Sequence, residues 1–246
     1  MRLKLTLDAG GPFLLPWRYP ELLRGAVYAA LRRWDPELAR TMHGQGLVAA
    51  GRRYKPFTYS WLHPKVARKH DDGLLMEPPA YWWISSPLPQ VLEAVAGPLL
   101  TAGHITLGHV RLAVALVEVE PQPDISPPCE VETLSPIVVS TAAKRGNKLS
   151  HVFLAPWEDE FQRVLTQNLA NKAHALGLPV ADGAWVRLEP LGEVRSRLVE
   201  VNETKVKGYY GRFRATGDPA LLALGYDMGF GERNAQGFGM VALSKG

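Results

Sequence analysis

Strand and helix patterns alternate along this chain in an order that predicts an α+β protein in which a β-α-β-β-α-β unit occurs twice. A second observation divides the two runs: the stretch PQPDISPPCE, residues 121–130, holds four prolines and shows neither a helical nor an alternating period. The third is size, since 246 residues that are 46% hydrophobic suffice for one large domain or two of about 100–120 residues.

In the first run, RLKLTLD alternates as a strand. PELLRGAVYAALRRW then places Leu22, Leu23, Ala26, Val27, Ala30 and Leu31 on one helical stripe. Asp35 and Pro36 read as the cap and first position of a short second helix, expected to reach Met42 and end near His43, with Gly44 taking a left-handed cap. FTYSWL and AYWWISS read as strands, LPQVLEAVAGPLL as a helix and HVRLAVALVEVE as the closing strand.

The second run repeats that order. VETLSPIVVS reads as a strand, EDEFQRVLTQNLANKAHALG as a helix, and WVRLEPL and RSRLVEVN as strands. VKGYYGRFRAT continues a strand or hairpin, DPALLALGYDMG opens a helix with an Asp cap and a proline, and FGMVALS closes as a strand. The expectation is two tandem ferredoxin-like (RRM-like) domains, residues 1–120 and 131–246 joined by the linker 121–130. Each would be an antiparallel sheet with helices on one face.

Composition narrows the function. Cys129 is the single cysteine, so no internal disulfide ties the fold to an oxidising compartment. MRLKLTLDAG alternates charge with leucine, and no run approaches the roughly 18 apolar residues that cross a bilayer. A cytoplasmic protein without a membrane partner is expected. The net charge of +4 leans modestly toward polyanions. Its distribution says more: Arg187, Arg195, Arg197, Lys205, Lys207, Arg212 and Arg214 face four glutamates in one stretch, with Tyr209 and Tyr210 interleaved. Cations neutralise phosphates and aromatic faces stack on bases, so the mixture suits RNA better than an acidic small molecule. A solvated hairpin is the plainer alternative. His63 and His70, like His104 and His109, lack zinc-ligand spacing, and no metal is expected.

MGFGERNAQGFGMV, residues 228–241, carries Gly229, Gly231, Gly237 and Gly239, which permit positive φ and close backbone approach. Met240 follows Gly239 where a P-loop needs lysine, and Asn234 stands where a dinucleotide fingerprint needs its third glycine. No nucleotide cofactor is expected.

GYYGRFRATGDPALLALGYDMGFGERNAQGFGMV, residues 208–241, resembles the C-terminal signature of the CRISPR-associated endoribonucleases that cut repeat RNA, the sixth Cas family of the repeat-associated RAMP superfamily. TLSPIVVS resembles the start of that family's second domain and RGAVYAAL its first helix. MHGQG followed by KPFTYSWL resembles its histidine-bearing segment and the next strand. The resemblance implies metal-independent cleavage of pre-crRNA within each repeat, by 2′-hydroxyl attack that leaves a 2′,3′-cyclic phosphate and a 5′-hydroxyl. The substrate it implies is CRISPR repeat RNA, folded as a short hairpin.

The same resemblance places the general acid at His43, and the end of a helix dipole favours a protonated imidazole there. Tyr28 stands fifteen residues before His43, where the family often has a tyrosine, and Arg24 matches an arginine that some members use. Four residues apart, the two share a helical face, and Arg24 is the expected phosphorane stabiliser. Val48 and Ala49 stand near the place of a lysine found in some members; Lys55 is a weaker substitute. Expected RNA contacts are Lys144, Arg145 and Lys148 in the loop AAKRGNK, then Arg195, Arg197, Lys205, Lys207, Arg212 and Arg214. Gly229, Gly231, Gly237 and Gly239 would add backbone N–H groups, beside Arg233. His151, beyond the basic loop, is assigned no role. Other proteins of a guide-RNA complex and a second copy of the chain are partners that the resemblance admits. The rival reading is a non-catalytic RNA-binding subunit with the same fold, in which His43 packs or binds.

Overall fold

The computed structural model describes residues 1–145, 148–201 and 204–244, with the backbone alone at positions 43, 45, 144, 145, 148 and 149. The first run comprises β1 (Arg2–Asp8), β2 (Phe13–Pro16), α1 (Tyr19–Trp34) and α2 (Pro36–Arg40), then a π-helical turn, Thr41–Gln45. It continues through β3 (Leu47–Ala49), β4 (Arg52–Tyr54), β5 (Thr58–Tyr59), β6 (His63–His70), β7 (Gly73–Ser85), α3 (Pro89–Ala102), β8 (His104–Leu107) and β9 (Val110–Glu120). β1 runs antiparallel between β7 and β9, and β6 pairs on β7. The spatial order β6-β7-β1-β9 is the 2-3-1-4 order of a β-α-β-β-α-β unit. Alternation in β1 puts Leu3, Leu5 and Leu7 into one core with Leu23, Val27 and Leu31 of α1 and Val91 and Val95 of α3. Burying each such side chain contributes about 1.5–3 kcal/mol, which holds both helices on one sheet face.

The second run comprises β10 (Cys129–Thr133), β11 (Ser140–Arg145), β12 (Lys148–Phe153), α4 (Asp159–Ala175), β13 (Val186–Pro190) and β14 (Arg195–Val201). β15 (Thr204–Tyr210), β16 (Arg212–Gly217), α5 (Pro219–Met228), a short turn at Asn234–Gln236 and β17 (Val241–Leu243) follow. The sheet order β13-β16-β10-β17 again reads 2-3-1-4, antiparallel throughout. Phe161, Leu165 and Leu169 of α4 and Leu221 and Leu222 of α5 share a core with Val131, Leu188 and Phe213 of that sheet. Asp218 caps α5 as its sequence predicts, accepting from the Leu221 N–H at 2.9 Å.

Several expectations need correction. The helix opened by Asp35 ends at Arg40, and the chain continues as a π turn closed by the Gly46 N–H on the Thr41 carbonyl at 2.8 Å. Gly46, not Gly44, takes positive φ (58°), and a Cβ there would also meet the Tyr54 carbonyl oxygen at 2.7 Å, so the position needs glycine. Only Thr58 and Tyr59 of FTYSWL enter the sheet. In the basic segment AAKRGNK, residues 142–145 and 148 lie in paired strands, with Ala142 opposite His151, rather than in a loop; Gly146 and Asn147 lie outside the described residues. RSRLVEV leaves the main sheet to pair with TKVKGYY as a separate ribbon, since Val199, Val201, Val206 and Tyr210 join the first core.

The two halves are stitched together. The buried Arg2 guanidinium lies 3.8 Å over the Tyr226 ring and donates to the Tyr226 carbonyl at 3.0 Å. Among the described residues no helix is long and apolar enough to cross a membrane.

Candidate active site

A cavity of about 760 Å³ opens where the two halves meet. One wall is α1 and the β3–β4 hairpin. Leu23, Val27, Ala30 and Leu31 anchor α1 in the core, so the face four residues apart carries Arg24 and Tyr28 into the cleft. The Tyr28 ring packs edge-on against Phe57 at 5.8 Å, with the Lys55 ammonium 5.1 Å over its face. Burial pushes the Tyr28 hydroxyl up to about 12, against the pull of Arg24, which keeps it a neutral phenol near pH 7. Burial and the repulsion of Arg24 push Lys55 down.

His43 sits in the π turn beside this wall; its side chain lies outside the described residues. The turn itself is fixed at both ends. Asp35 accepts from the N–H groups of Glu37 and Leu38 at 2.9 and 3.0 Å, Met42 is buried in the first core, and Arg53 donates to the Gly44 carbonyl at 3.0 Å. π-helical turns recur at functional sites, where an extra residue re-aims a side chain.

The opposite wall is built by β11, β12, α4 and the glycine-rich loop: Ser140, His151, Asn168, Lys172, Glu232 and Arg233. Lys172 lies on the apolar stripe of α4 with Phe161, Leu165 and Leu169 and is fully buried. Its ammonium donates to the carbonyls of Gly229 and Gly231, both at 2.7 Å. Burial pushes it down to about 7, with the Glu232 carboxylate opposing. From the other half, Trp61 Nε1 donates to the Gly237 carbonyl at 2.7 Å and the Thr58 hydroxyl to the Phe238 carbonyl at 3.1 Å.

The glycines serve close packing. At Gly231 (φ 72°) a Cβ would lie 2.2 Å from the Val138 carbonyl oxygen, and at Gly239 (φ 78°) 2.0 Å from that of Phe230. The N–H groups of Gly229, Gly237 and Gly239 are bonded to the carbonyls of Gly225, Asn234 and Pro136. Those three amides are therefore spent inside the protein, contrary to the expectation that they face RNA; Arg233 remains on the cleft wall.

The basic residues expected to meet RNA are not gathered in one place. Register puts Arg195 and Arg197 on the ribbon face that also carries Val199, with Arg197 4.9 Å over the Trp61 ring. Lys205 and Lys207 lie on the reverse face, where Lys207 sits 5.4 Å over Tyr209. Arg195 is ion-paired with Glu193 at 2.9 Å and Arg212 with Glu130 at 2.7 Å. Arg214 lies opposite both Glu130 and Glu189, on the sheet face turned away from the core. The side chains of Lys144, Arg145 and Lys148 lie outside the described residues.

Sequence reasoning missed Arg52, Arg53, Ser140, His151, Lys172 and Glu232, all of which line the cleft. A signal existed for two sets: RRYK is a local basic cluster, and Lys172 is a cation at helical spacing on an otherwise apolar stripe. Among the described residues no group of three or more His, Cys, Asp or Glu could hold a metal ion.

Comparison with known families decides what this architecture belongs to. Residues 120–243 match the family described as CRISPR associated protein Cas6, C-terminal, and residues 14–118 match CRISPR-associated protein Cas6, N-terminal. The chain belongs to the Cas6 family. Among Cas6 relatives, it is 28% identical over 245 residues to CRISPR-associated endoribonuclease Cas6 1 of Methanocaldococcus jannaschii, covering 98% of this chain and 92% of that protein. It is likewise 28% identical to the CRISPR-associated endoribonuclease Cas6 of Pyrococcus furiosus, covering 96% of this chain and 86% of that one. A solved structure of a CRISPR associated protein Cas6 superimposes with a TM-score of 0.82 at 27% identity, covering 100% of this chain and 99% of the other.

Proposed function

We propose that this chain is an endoribonuclease that binds CRISPR repeat RNA and cuts pre-crRNA within each repeat, as the names of its Cas6 relatives describe for those proteins. The observation that carries the reading is the convergence on one cleft of α1, with Arg24 and Tyr28, the loop carrying Arg233, and the β3–β4 hairpin that tethers the turn holding His43.

In this reading, residues 1–120 supply the reacting groups, and residues 131–246, joined through 121–130, supply the loop and much of the RNA-binding surface. The 2′-hydroxyl of the scissile nucleotide attacks its own phosphate, the P–O5′ bond breaks, and the ends are a 2′,3′-cyclic phosphate and a 5′-hydroxyl. His43 protonates the departing 5′-oxygen. Arg24 stabilises the charge that accumulates on the phosphorane, where a fixed cation acts most strongly. Tyr28, held as a neutral phenol, orients the phosphate as a hydrogen-bond donor and is not the base. Arg52, Arg53 and Lys55 line the entry of the cleft and neutralise neighbouring phosphates. This route requires no metal.

The deciding experiment incubates the protein with its host's repeat RNA in excess EDTA, beside His43→Ala and an RNA carrying a single 2′-deoxy substitution at the cut. Cleavage by the wild type alone, ending in a cyclic phosphate, is the expected result. Tight binding without cutting would move the chain to the RNA-scaffold class. Cutting that survives His43→Ala would remove the histidine from the mechanism.

A further inference from the structure

Arg24 and the turn that carries His43 belong to the first half of the chain, and a group that protonates the departing 5′-oxygen cannot also remove the proton from the attacking 2′-hydroxyl at the start of the reaction. The opposite wall holds an imidazole with its tautomer already set. Ser140, buried at the start of β11, donates its hydroxyl proton to Glu232 Oε1 at 2.7 Å. A hydroxyl has one proton to give, and an ionised carboxylate can only accept. The contact between Ser140 Oγ and His151 Nδ1, at 3.2 Å, is therefore a bond donated by the imidazole. Neutral His151 consequently carries its proton on Nδ1 and its lone pair on Nε2.

Three elements hold this relay. β12 carries His151, β11 carries Ser140, and the glycine-rich loop carries Glu232, whose own N–H is bonded to the Val138 carbonyl at 2.8 Å. Lys172 and Arg233 line the same wall. His151 is solvent-exposed and lines the cleft, as Ser140 and Glu232 do. A carboxylate-hydroxyl-imidazole chain that fixes a tautomer and, among the described residues, leaves Nε2 open is the arrangement a general base requires.

We propose that His151 is the general base of this reaction, its Nε2 taking the 2′-hydroxyl proton, with Ser140 and Glu232 as positioning residues. The inference rests on the nuclease reading above. The balance closes: the 2′-oxygen bonds to phosphorus as its proton passes to His151, the P–O5′ bond breaks, and the 5′-oxygen receives a proton from His43. Exchange with water then returns both imidazoles to their starting forms. The base thus comes from the second half of the chain and the acid from the first, so the reaction depends on how the halves close on the RNA.

The test measures single-turnover cleavage at saturating repeat RNA for the wild type, His151→Ala and His151→Asn, whose amide can still donate to Ser140. Both variants should lose about 10²- to 10⁴-fold in rate while binding RNA nearly as tightly as the wild type. Ser140→Ala should lose less. A second substrate replaces the scissile 5′-oxygen with sulfur, which departs without a proton. It should restore cutting by His43→Ala and fail to restore cutting by either His151 variant. His151 variants that cut at the wild-type rate, or whose defect vanishes at saturating RNA, would overturn the assignment, the latter marking His151 as a phosphate contact. Rescue by the sulfur substrate would also overturn it, making His151 an acid. A wild-type protein that never cuts would overturn the nuclease reading itself, and the base with it.

Discussion

Replacing Lys172 by methionine tests whether a single buried cation holds the glycine-rich loop against α4. Methionine fills most of the aliphatic stem, so little cavity is created and the change isolates the ammonium. What is lost is the pair of 2.7 Å bonds to the carbonyls of Gly229 and Gly231, both on buried residues. Each buried carbonyl left without a donor costs about 1–3 kcal/mol. Relief from burying a charge offsets part of this, for a net loss of about 2–4 kcal/mol. In a chain of this size that corresponds to a fall in Tm of roughly 5–15 °C. The assay is a thermal melt followed by circular dichroism or calorimetry. The pH dependence adds an independent check. Lys172 is pushed down to about 7 in the fold, so between that value and the ordinary lysine value near 10.5 the unfolded chain binds more protons. Its burial cost is fully present below about pH 7 and disappears as pH rises through this window. The Tm gap between wild type and Lys172→Met should therefore widen from about pH 6.5 to about pH 9. A variant that melts with the wild type at every pH would refute the clasp.

Gly239→Ala should be worse still, since its Cβ would fall 2.0 Å from the Phe230 carbonyl oxygen at a φ of 78°; a soluble variant with the wild-type Tm would contradict that packing. Arg53→Ala releases the Gly44 carbonyl of the histidine-bearing turn and removes a cleft cation. Cleavage should slow and the salt dependence of RNA binding should flatten by about one unit of slope, which a titration series checks. Tyr28→Phe removes a phenol held near 12, so the rate should fall about tenfold or less with the pH–rate profile unchanged in shape; a lost limb would mean the phenol titrates in the reaction. Arg24→Ala should cost about 10²- to 10³-fold in single-turnover rate, with RNA affinity far less affected.

The repeated β-α-β-β-α-β order was legible because its signals are local: alternation in RLKLTLD, the helical stripe from Leu22 to Leu31, and the Asp218–Pro219 cap. Where the sequence misled, a distant partner won. RSRLVEV reads as a sheet strand but peels away because its valines find the first core. The glycine pattern announced close approach without saying to what. Its partners, Val138, Pro136, Lys172 and Trp61, lie from 57 to 176 residues away in the chain where they are bonded through side chains.

By itself, then, the sequence determined the element order, the family likeness and the helical face shared by Arg24 and Tyr28. Periodicity and short motifs depend on neighbours within a few residues. Only the tertiary structure decided that Ser140, His151 and Glu232 form one relay, that Lys172 is buried against two carbonyls, and that the basic residues spread over several faces. Those facts depend on which surfaces two sheets present to each other when their cores close, and no spacing along the chain encodes the distance across a cleft.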